Sequence, residues 1–233
     1  MGLGYDLQFG MVLTGRYLEQ LQNGLVTTLQ LFAICWVVAF ALAVVLTLIR
    51  ATPFRPVQAL VEGYVEYHRN VPLLVQLFVW YFGVPNLLPR SWNMAINSYN
   101  AEMAFAVIAL SLFSAAYMSE DFRSGLRSIP NAQREASRAM GFTFVESMRW
   151  VLLPQAWRIC LPGLLNQTLQ LFKATSLAGV IGVAELTYMA RDIEDKTFRV
   201  FEAFGVVTVI YLAVSFTIMG AGALLAQRYR LRT

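Results

Sequence analysis

The sequence predicts an all-α polytopic membrane protein with five transmembrane helices. Three observations predict this fold class: 58% of the residues are hydrophobic, only 14% are charged, and long runs carry no charge at all. A soluble domain of this length would have roughly 25% charged residues. The deficit indicates that much of the protein surface faces something other than water.

The charge-free runs are the candidate spans, since a helix needs about 20 apolar residues to cross a bilayer. Four such runs cover residues 20–49, 70–89, 103–119 and 203–227. A fifth run, residues 159–184, carries one charge, Lys173, near its middle. Five apolar runs leave too few other residues to bury them inside a soluble protein, so we assign all five to the membrane.

The positive residues near the span ends predict the orientation, because cytoplasmic connections are enriched in Lys and Arg. Counting along the chain, the first and third connections and the C-terminal tail hold most of the arginines. We therefore place these parts in the cytoplasm, with the N-terminus outside and the C-terminus inside. The predicted domains are an external segment at 1–20, a transmembrane domain at 21–227 and a cytoplasmic tail at 228–233 of a multi-pass membrane protein.

The third connection, from Ser128 to Pro154, reads SIPNAQREASRAMGFTFVESMRWVLLP. A proline suits the first turn of a helix, and a glycine interrupts one, so the segment predicts two short helices within residues 130–152 that bend at Gly141. Phe144, Met148 and Val151 are spaced as an apolar stripe. From these residues alone, the segment is either a helical contact for the groove of a partner protein or a solvated loop without a partner.

Several motifs in this order resemble one family. Glu135-Ala136-Ser137, Gly141 and Leu153-Pro154 are similar to the "EAA…G…LP" loop of ABC importer permeases. Three further segments, spread over most of residues 20–227, resemble the polar amino-acid branch of that family, and the first of them looks most like the glutamate/aspartate permeases: RNVPLLVQLFVWYFGVP, LVTTLQL and LPQAWRICLPGLLNQTLQLFKATSLAGVIGV.

The resemblance implies a type I ABC importer permease fold and a role as the permease subunit of an amino-acid importer, not as an enzyme. It implies contact with the ATPase through a coupling helix that includes Glu135, Ala136, Ser137, Gly141 and Phe144. The implied partners are two cytoplasmic ATPase subunits, a second permease subunit (identical or homologous), an external amino-acid-binding protein and membrane lipid, with no nucleic acid. The chain has no Gly-x-x-x-x-Gly-Lys-Ser/Thr loop, so ATP and magnesium are expected on the ATPase, and no cofactor or catalytic residue is expected here.

The substrate prediction rests on a departure from the family pattern. Many relatives have Asp where this chain has Ala174, and Gly-Thr where it has Asn70-Val71. The missing acid disfavours a cationic substrate, whereas Lys173 can attract an acidic side chain or an α-carboxylate. Together with the resemblance of RNVPLLVQLFVWYFGVP to the glutamate/aspartate permeases, this departure makes glutamate or aspartate the predicted substrate.

Polar residues inside the spans predict the substrate pathway: Gln76, Asn166, Gln170, Lys173, Thr175 and Ser176. A charge at mid-membrane depth costs about 2.5–3.5 kcal/mol on insertion scales, so Lys173 should face protein or a watery cavity. Gly179 and Gly182 favour a helix break nearby, a common feature of transporter sites. The alternatives are interhelical hydrogen bonds and pairing of Lys173 with a backbone carbonyl or an acid of the partner subunit.

Two other functions agree less well with the sequence. An ion-coupled secondary amino-acid transporter usually needs acids within its spans, and the charge-free runs contain none; Glu120 and Asp121 are expected to form a solvated cluster with Arg123 at the inner end of the third span. A membrane enzyme would need a constellation of catalytic residues that no single span contains. One histidine and two cysteines far apart in sequence give no basis for a metal site.

Overall fold

The computed structural model describes residues 6–52, 54–97 and 100–228. All regular elements within these residues are helical, in agreement with the all-α prediction. Some predicted features lie outside the described residues: the first five residues of the predicted external segment, Tyr99 in the second connection, and Arg230 and Arg232 of the predicted tail.

The α-helices follow one another along the chain with short 3-10 and π-helical turns between some of them. They are α1 Phe9–Val12, α2 Gly15–Arg50, α3 Arg55–Asn70, α4 Leu73–Phe78, α5 Arg90–Asn97, α6 Ala101–Arg127, α7 Asn131–Ala139, α8 Phe144–Ser147, α9 Leu153–Ala174, α10 Leu186–Thr197 and α11 Val200–Arg228.

Three helices in the described part of the chain are long and apolar enough to cross a membrane: α2, α6 and α11. They coincide with three of the predicted spans, although α2 begins earlier, at Gly15. A fourth candidate is a broken span, formed by Phe144–Ile181 together with Leu186–Thr197. It covers most of the fifth apolar run, the one that carries Lys173. The count of five spans and the orientation of the termini remain predictions.

The predicted second span at 70–89 is the one whose helix is too short. Its apolar helical part covers Leu73–Leu87, because Val71 is extended and Pro72 interrupts the preceding helix. Helix α3 lies in the first connection between spans, for which no helix was predicted. This helix buries Val61, Val65 and His68, which are spaced at i, i+4 and i+7 and form a narrow apolar stripe on an otherwise polar helix.

The chain divides into two compact units by residue contacts. The first unit comprises residues 1–35, 73–110 and 171–217, and the second comprises residues 36–72, 111–170 and 218–233. In the first unit, α1, α2, α10 and α11 share one core of buried residues: Val12, Leu21, Leu186, Ala190, Ile193, Ala203 and Val207. A Cβ atom added to Gly24 would lie 3.1 Å from the Leu186 Cα atom, so this glycine permits α2 to approach the start of α10 closely.

The second unit packs aromatic rings between α2, α6 and α9. Phe40 contacts the rings of Phe122 and Trp157, and the indole N–H of Trp36 donates to the Thr168 hydroxyl at 3.0 Å. A smaller cluster of Ile129, Leu152 and Ala156 lies under the segment that follows α6. Met148 and Val151, which follow α8, pack against this cluster.

Candidate functional site

The chain turns sharply at Gly141, between α7 and α8. Gly141 has φ +85°, a left-handed conformation that glycine adopts without the steric cost of a side chain. Its N–H donates to the Arg138 carbonyl at 2.9 Å, and the Phe142 N–H donates to the Ser137 carbonyl at 3.1 Å. These two bonds are the Schellman pattern that ends a helix, and they confirm the predicted bend at Gly141.

A capping box fixes the start of α8. The Glu146 N–H donates to the Thr143 hydroxyl oxygen at 3.3 Å, and the Thr143 N–H donates to the Glu146 carboxylate at 2.9 Å. Each side chain thereby satisfies a backbone donor that a helix end leaves without a partner. This four-residue helix is therefore held in shape by its own cap.

Replacing Thr143 with alanine tests the capping box. The loss of an N-cap side chain costs about 0.5–2 kcal/mol, so we expect the Glu146 amide to exchange with deuterium about tenfold faster and α8 to fray. Hydrogen exchange measured on peptides that cover residues 141–150 detects the change. Thr143→Ser keeps the hydroxyl and should retain slow exchange; equal exchange in the two variants would show that the cap is not what orders α8.

Two buried serines join α7 to α8. The Ser137 hydroxyl donates to the Arg134 carbonyl at 2.8 Å and accepts a hydrogen bond from the Ser147 hydroxyl, whose oxygen lies 2.6 Å away. Of the predicted coupling residues, Glu135 and Ala136 are exposed, whereas Ser137 is buried. Ser137 thus acts inside the segment, where it sets the packing of the two helices.

Three large apolar side chains are exposed where the segment turns. Met140, Phe144 and Val145 are 76%, 61% and 69% exposed, and we call them the α7–α8 apolar surface. Large apolar side chains grouped on an exposed surface are typical of interaction sites. The surface is flanked by the exposed charges of Glu135, Arg138 and Glu146.

The predicted stripe of Phe144, Met148 and Val151 is wrong as a single face. Met148 and Val151 pack against the cluster beneath the segment, whereas Phe144 is exposed. A π-helical turn at Met148–Leu152 changes the number of residues per turn and so moves Val151, which lies within it, away from the face of Phe144.

Glu120 lies at the centre of an ion-pair network in the second unit. Its carboxylate pairs with Arg50 of α2 and with Arg123 one turn away on α6, and Arg50 also pairs with Glu62 of α3 at 2.9 Å. The Glu120 side chain is only 17% exposed. The predicted cluster is confirmed for Glu120 and Arg123, which remain partly exposed, whereas Asp121 is not among the ion pairs of the described residues.

The structure separates the residues of the predicted substrate pathway into exposed and buried groups. Asn166, Gln170 and Lys173 are exposed on α9. Thr175 is buried, and its hydroxyl donates to the Phe172 carbonyl at 2.6 Å; the Ser176 hydroxyl donates to the Lys173 carbonyl at 2.7 Å. These two hydroxyls are thus engaged with the backbone of their own helix.

A helix break follows these residues, as Gly179 and Gly182 predict. The 3-10 turn Thr175–Ile181 ends at Gly182, whose φ is +97°. In the first unit, α4, which carries the fully buried Gln76, packs against this turn. The break therefore lies beside α4, and the role of the six predicted residues in transport remains a prediction.

Glu185 is the buried acid that the sequence analysis missed. It follows the break, is fully buried, and accepts hydrogen bonds from the N–H groups of Thr187 and Tyr188 at 2.9 and 2.7 Å and from the Tyr211 hydroxyl at 2.9 Å. These donors make it the N-cap of α10 and tie that helix to α11. The fifth apolar run ends at residue 184, one residue before this carboxylate.

The described residues contain no group of three or more His, Cys, Asp or Glu side chains that could hold a metal ion.

Residues 39–231 match the family described as "Binding-protein-dependent transport system inner membrane component". This match covers more than half of the chain.

Individual relatives extend the similarity over nearly the whole chain. The chain is 32% identical over 219 residues to the glutamate/aspartate import permease protein GltJ of Escherichia coli (strain K12), which covers 92% of this chain and 89% of the relative. It is 38% identical over 212 residues to the probable amino-acid ABC transporter permease protein PatM of Vibrio harveyi, covering 91% of each. It is 33% identical over 198 residues to the histidine/lysine/arginine/ornithine permease protein HisM of Escherichia coli (strain K12), covering 84% of this chain and 83% of HisM.

Solved structures share the fold. A chain of an amino acid ABC transporter crystallised with histidines superposes with a TM-score of 0.84 at 28% identity, covering 96% of this chain and 99% of that chain. A chain of the inward-facing MetNI methionine ABC transporter superposes with a TM-score of 0.73 at 19% identity, covering 94% and 100%. The second similarity concerns the fold alone.

Proposed function

Because the chain belongs to the family of binding-protein-dependent transport system inner membrane components, we propose that it forms the translocation path for glutamate or aspartate and engages its ATPase through α7 and α8. The chain is a permease subunit of an ABC amino-acid importer of the bacterial inner membrane, with the type I permease fold. ATP hydrolysis belongs to a separate subunit.

The observation that carries the proposed coupling is the α7–α8 apolar surface. Met140, Phe144 and Val145 are exposed outside α2, α6 and α11, at the turn where the fourth candidate span, Phe144–Ile181 with Leu186–Thr197, begins. Apolar side chains on a short helix are suited to a groove on a partner protein. We assign that groove to the cytoplasmic ATPase, with Glu135 and Ala136 as further contacts on α7.

The way this segment is built supports a mechanical role. The Gly141 turn, the Thr143 cap and the Ser137–Ser147 hydrogen bond hold α7 and α8 as one body. Below this body, Met148 and Val151 pack on the cluster formed by the end of α6 and the start of α9. A displacement at the apolar surface is thereby passed to helices that line the membrane domain.

The proposed assembly follows from this role. Two ATPases bind two permease subunits, either two copies of this chain or this chain with a homologue, and an external binding protein delivers the amino acid. The chain crosses the membrane five times, with the N-terminus outside. ATP binding draws the coupling segments together and opens the pathway outward, and hydrolysis resets it.

An acidic substrate is proposed from the charge near the helix break. Lys173 is exposed on α9, and the next residue, Ala174, provides no carboxylate. A positive charge without a neighbouring acid favours a substrate that carries a second carboxylate. The relatives do not decide the substrate, because their names include glutamate/aspartate, glutamine and histidine/lysine/arginine/ornithine permeases.

Replacing Lys173 with glutamine tests the substrate proposal in proteoliposomes that contain the whole transporter and its binding protein. A hydrogen bond to a charged group contributes about 1.5–3 kcal/mol, and we expect partial solvation of the site to reduce the loss to about fivefold for glutamate and aspartate uptake. Glutamine uptake should change less. Lys196→Gln is the control, since Lys196 is exposed and pairs with Asp192 on α10.

Two outcomes would contradict the proposal. Uptake of arginine in preference to aspartate and glutamate by the unaltered transporter would contradict the acidic substrate while leaving the permease assignment in place. An equal loss for acidic and neutral amino acids in Lys173→Gln would assign this lysine a structural role.

A further inference from the structure

A basic cavity of about 560 Å³ lies in the second unit, between the ends of α2 and α6, the start of α3, and the α7–α8 segment. Among the described residues, the carboxylates that line it are those of Glu62 and Glu135. Five guanidinium groups line it: Arg50, Arg123, Arg127, Arg134 and Arg138. Its wall is therefore positively charged.

Three of these arginines have no acidic counterpart. Arg50 and Arg123 are neutralised by Glu120 and Glu62. Arg134 donates to the Leu126 carbonyl at 2.9 Å, and within residues 6–52, 54–97 and 100–228 no acidic side chain lies at ion-pair distance from Arg127, Arg134 or Arg138. Exposed guanidinium groups with this freedom match the oxygen atoms of a phosphate.

An apolar groove of about 240 Å³ begins where the basic cavity ends. The two share one wall, made of Thr47, Ala51, Leu126 and Met148. Beyond that wall, the groove is lined by apolar and aromatic side chains of the long helices: Phe40, Val44, Leu48, Phe122, Leu153 and Trp157. Leu48 and Leu153 are exposed, so the groove is open to the hydrocarbon that surrounds such helices.

We propose that the cavity and the groove together bind one anionic phospholipid. The headgroup phosphate lies among Arg127, Arg134 and Arg138, and an acyl chain lies along Phe40 and Leu48. An amphipathic anion is the occupant that uses both features, because a free phosphate would leave the groove unused and a neutral lipid would leave the arginines without counter-ions. Basic pockets beside membrane helices are a known mode of anionic-lipid recognition.

The site connects the membrane to the coupling segment. Arg134 and Arg138 belong to α7, whereas Arg127 is the last residue of α6 and Leu48 belongs to α2. A headgroup bound to these arginines therefore ties α7 to the spanning helices. On the proposed orientation the lipid belongs to the cytoplasmic leaflet, and it should stabilise the arrangement in which α7 rests against α6.

The test uses the complete transporter, purified in detergent and depleted of lipid. Phosphatidylglycerol, phosphatidylcholine and inorganic phosphate are added separately, and native mass spectrometry and the melting temperature report binding. We expect phosphatidylglycerol to be retained and to raise the melting temperature, with little effect of phosphatidylcholine or phosphate. Neither readout requires transport or a known substrate, so failure of the substrate proposal would leave this result in place; Glu135 and Phe144, the proposed ATPase contacts, also line the cavity.

Two variants probe the two halves of the site. Arg127→Gln combined with Arg138→Gln should reduce retained phosphatidylglycerol at least fivefold. Val44→Trp fills the groove and should reduce it similarly with every arginine in place. Arg158→Gln is the matched control, because Arg158 is an exposed arginine of α9 that lines neither the cavity nor the groove.

Each remaining outcome would overturn the proposal. Equal retention of the two lipids would remove the role of the arginines, and stabilisation by phosphate alone would reduce the site to a simple anion site. Equal phosphatidylglycerol retention in the double variant and in Arg158→Gln would also contradict it. Loss of the ATPase subunit from the double variant with unchanged lipid retention would identify the cavity as a protein-docking surface.

Discussion

Replacing Gly141 with valine is expected to reduce transport by tenfold or more while the chain still inserts into the membrane. Gly141 has φ +85°, and a left-handed backbone costs a residue with a side chain about 1–2 kcal/mol, with β-branched residues at the upper end. The variant escapes this strain by opening the turn, which breaks the hydrogen bonds from Gly141 and Phe142 to the end of α7. The apolar surface then no longer has a fixed position.

The measurement is ATP hydrolysis and uptake by the reconstituted transporter, stimulated by its binding protein and substrate. A shift of about 1.4 kcal/mol already changes a population tenfold. Gly141→Asn should keep most of the activity, because asparagine tolerates this conformation better than other residues. Gly63→Val is the control at a helical glycine with open space around it, and equal activity of Gly63→Val and Gly141→Val would contradict a requirement for the turn.

Replacing Glu120 with glutamine is expected to lower stability more than replacing Glu62, the other acid of the same ion-pair network. Removing one partner of a fully buried pair costs about 3–5 kcal/mol. Since Arg50 and Glu120 remain 15% and 17% exposed, we expect a smaller loss, about 1–3 kcal/mol. The variant leaves Arg50 without its buried acid and Arg123 without its carboxylate, and the melting temperature at a fixed heating rate records the loss.

Glu62→Gln is the matched control for this experiment. Glu62 pairs with the same arginine, but its side chain is 63% exposed. Exposed ion pairs contribute about 0–1 kcal/mol, so the melting temperature of this variant should hardly change. Equal losses in the two variants would mean that Glu120 does not hold α2 against α6.

The features of the fold that depend on local sequence could be predicted. Long apolar runs located α2, α6 and α11, because a membrane helix is apolar on all sides and can therefore be recognised from its amino-acid composition alone. The same search could not find α3, whose buried Val61, Val65 and His68 are separated by charged residues. It also overestimated the second span, because Val71 is extended and Pro72 follows it, so that the apolar helix covers only Leu73–Leu87.

In the candidate site, too, the features that depend on local sequence could be predicted, and the contacts between distant residues could not. The bend at Gly141 follows from the residue itself, and the break at Gly182 follows from two nearby glycines. Other contacts join residues that lie 10 to 70 positions apart: the hydrogen bond between Ser137 and Ser147, the ion pair of Arg50 with Glu120, and the hydrogen bond from Tyr211 to Glu185. Such pairings depend on how helices pack, and nothing in the single sequence indicated them.

The most direct test of the central proposal is a photo-crosslink from the α7–α8 apolar surface. A photoreactive amino acid is introduced at Val145, which is 69% exposed, and, as a control, at Trp92, which is exposed on α5 in the second connection, outside the connections assigned to the cytoplasm. The assembled transporter is then irradiated. We predict that Val145 forms an adduct with the ATPase subunit and Trp92 does not. Absence of the ATPase adduct at Val145, or equal yields from both positions, would contradict the proposal.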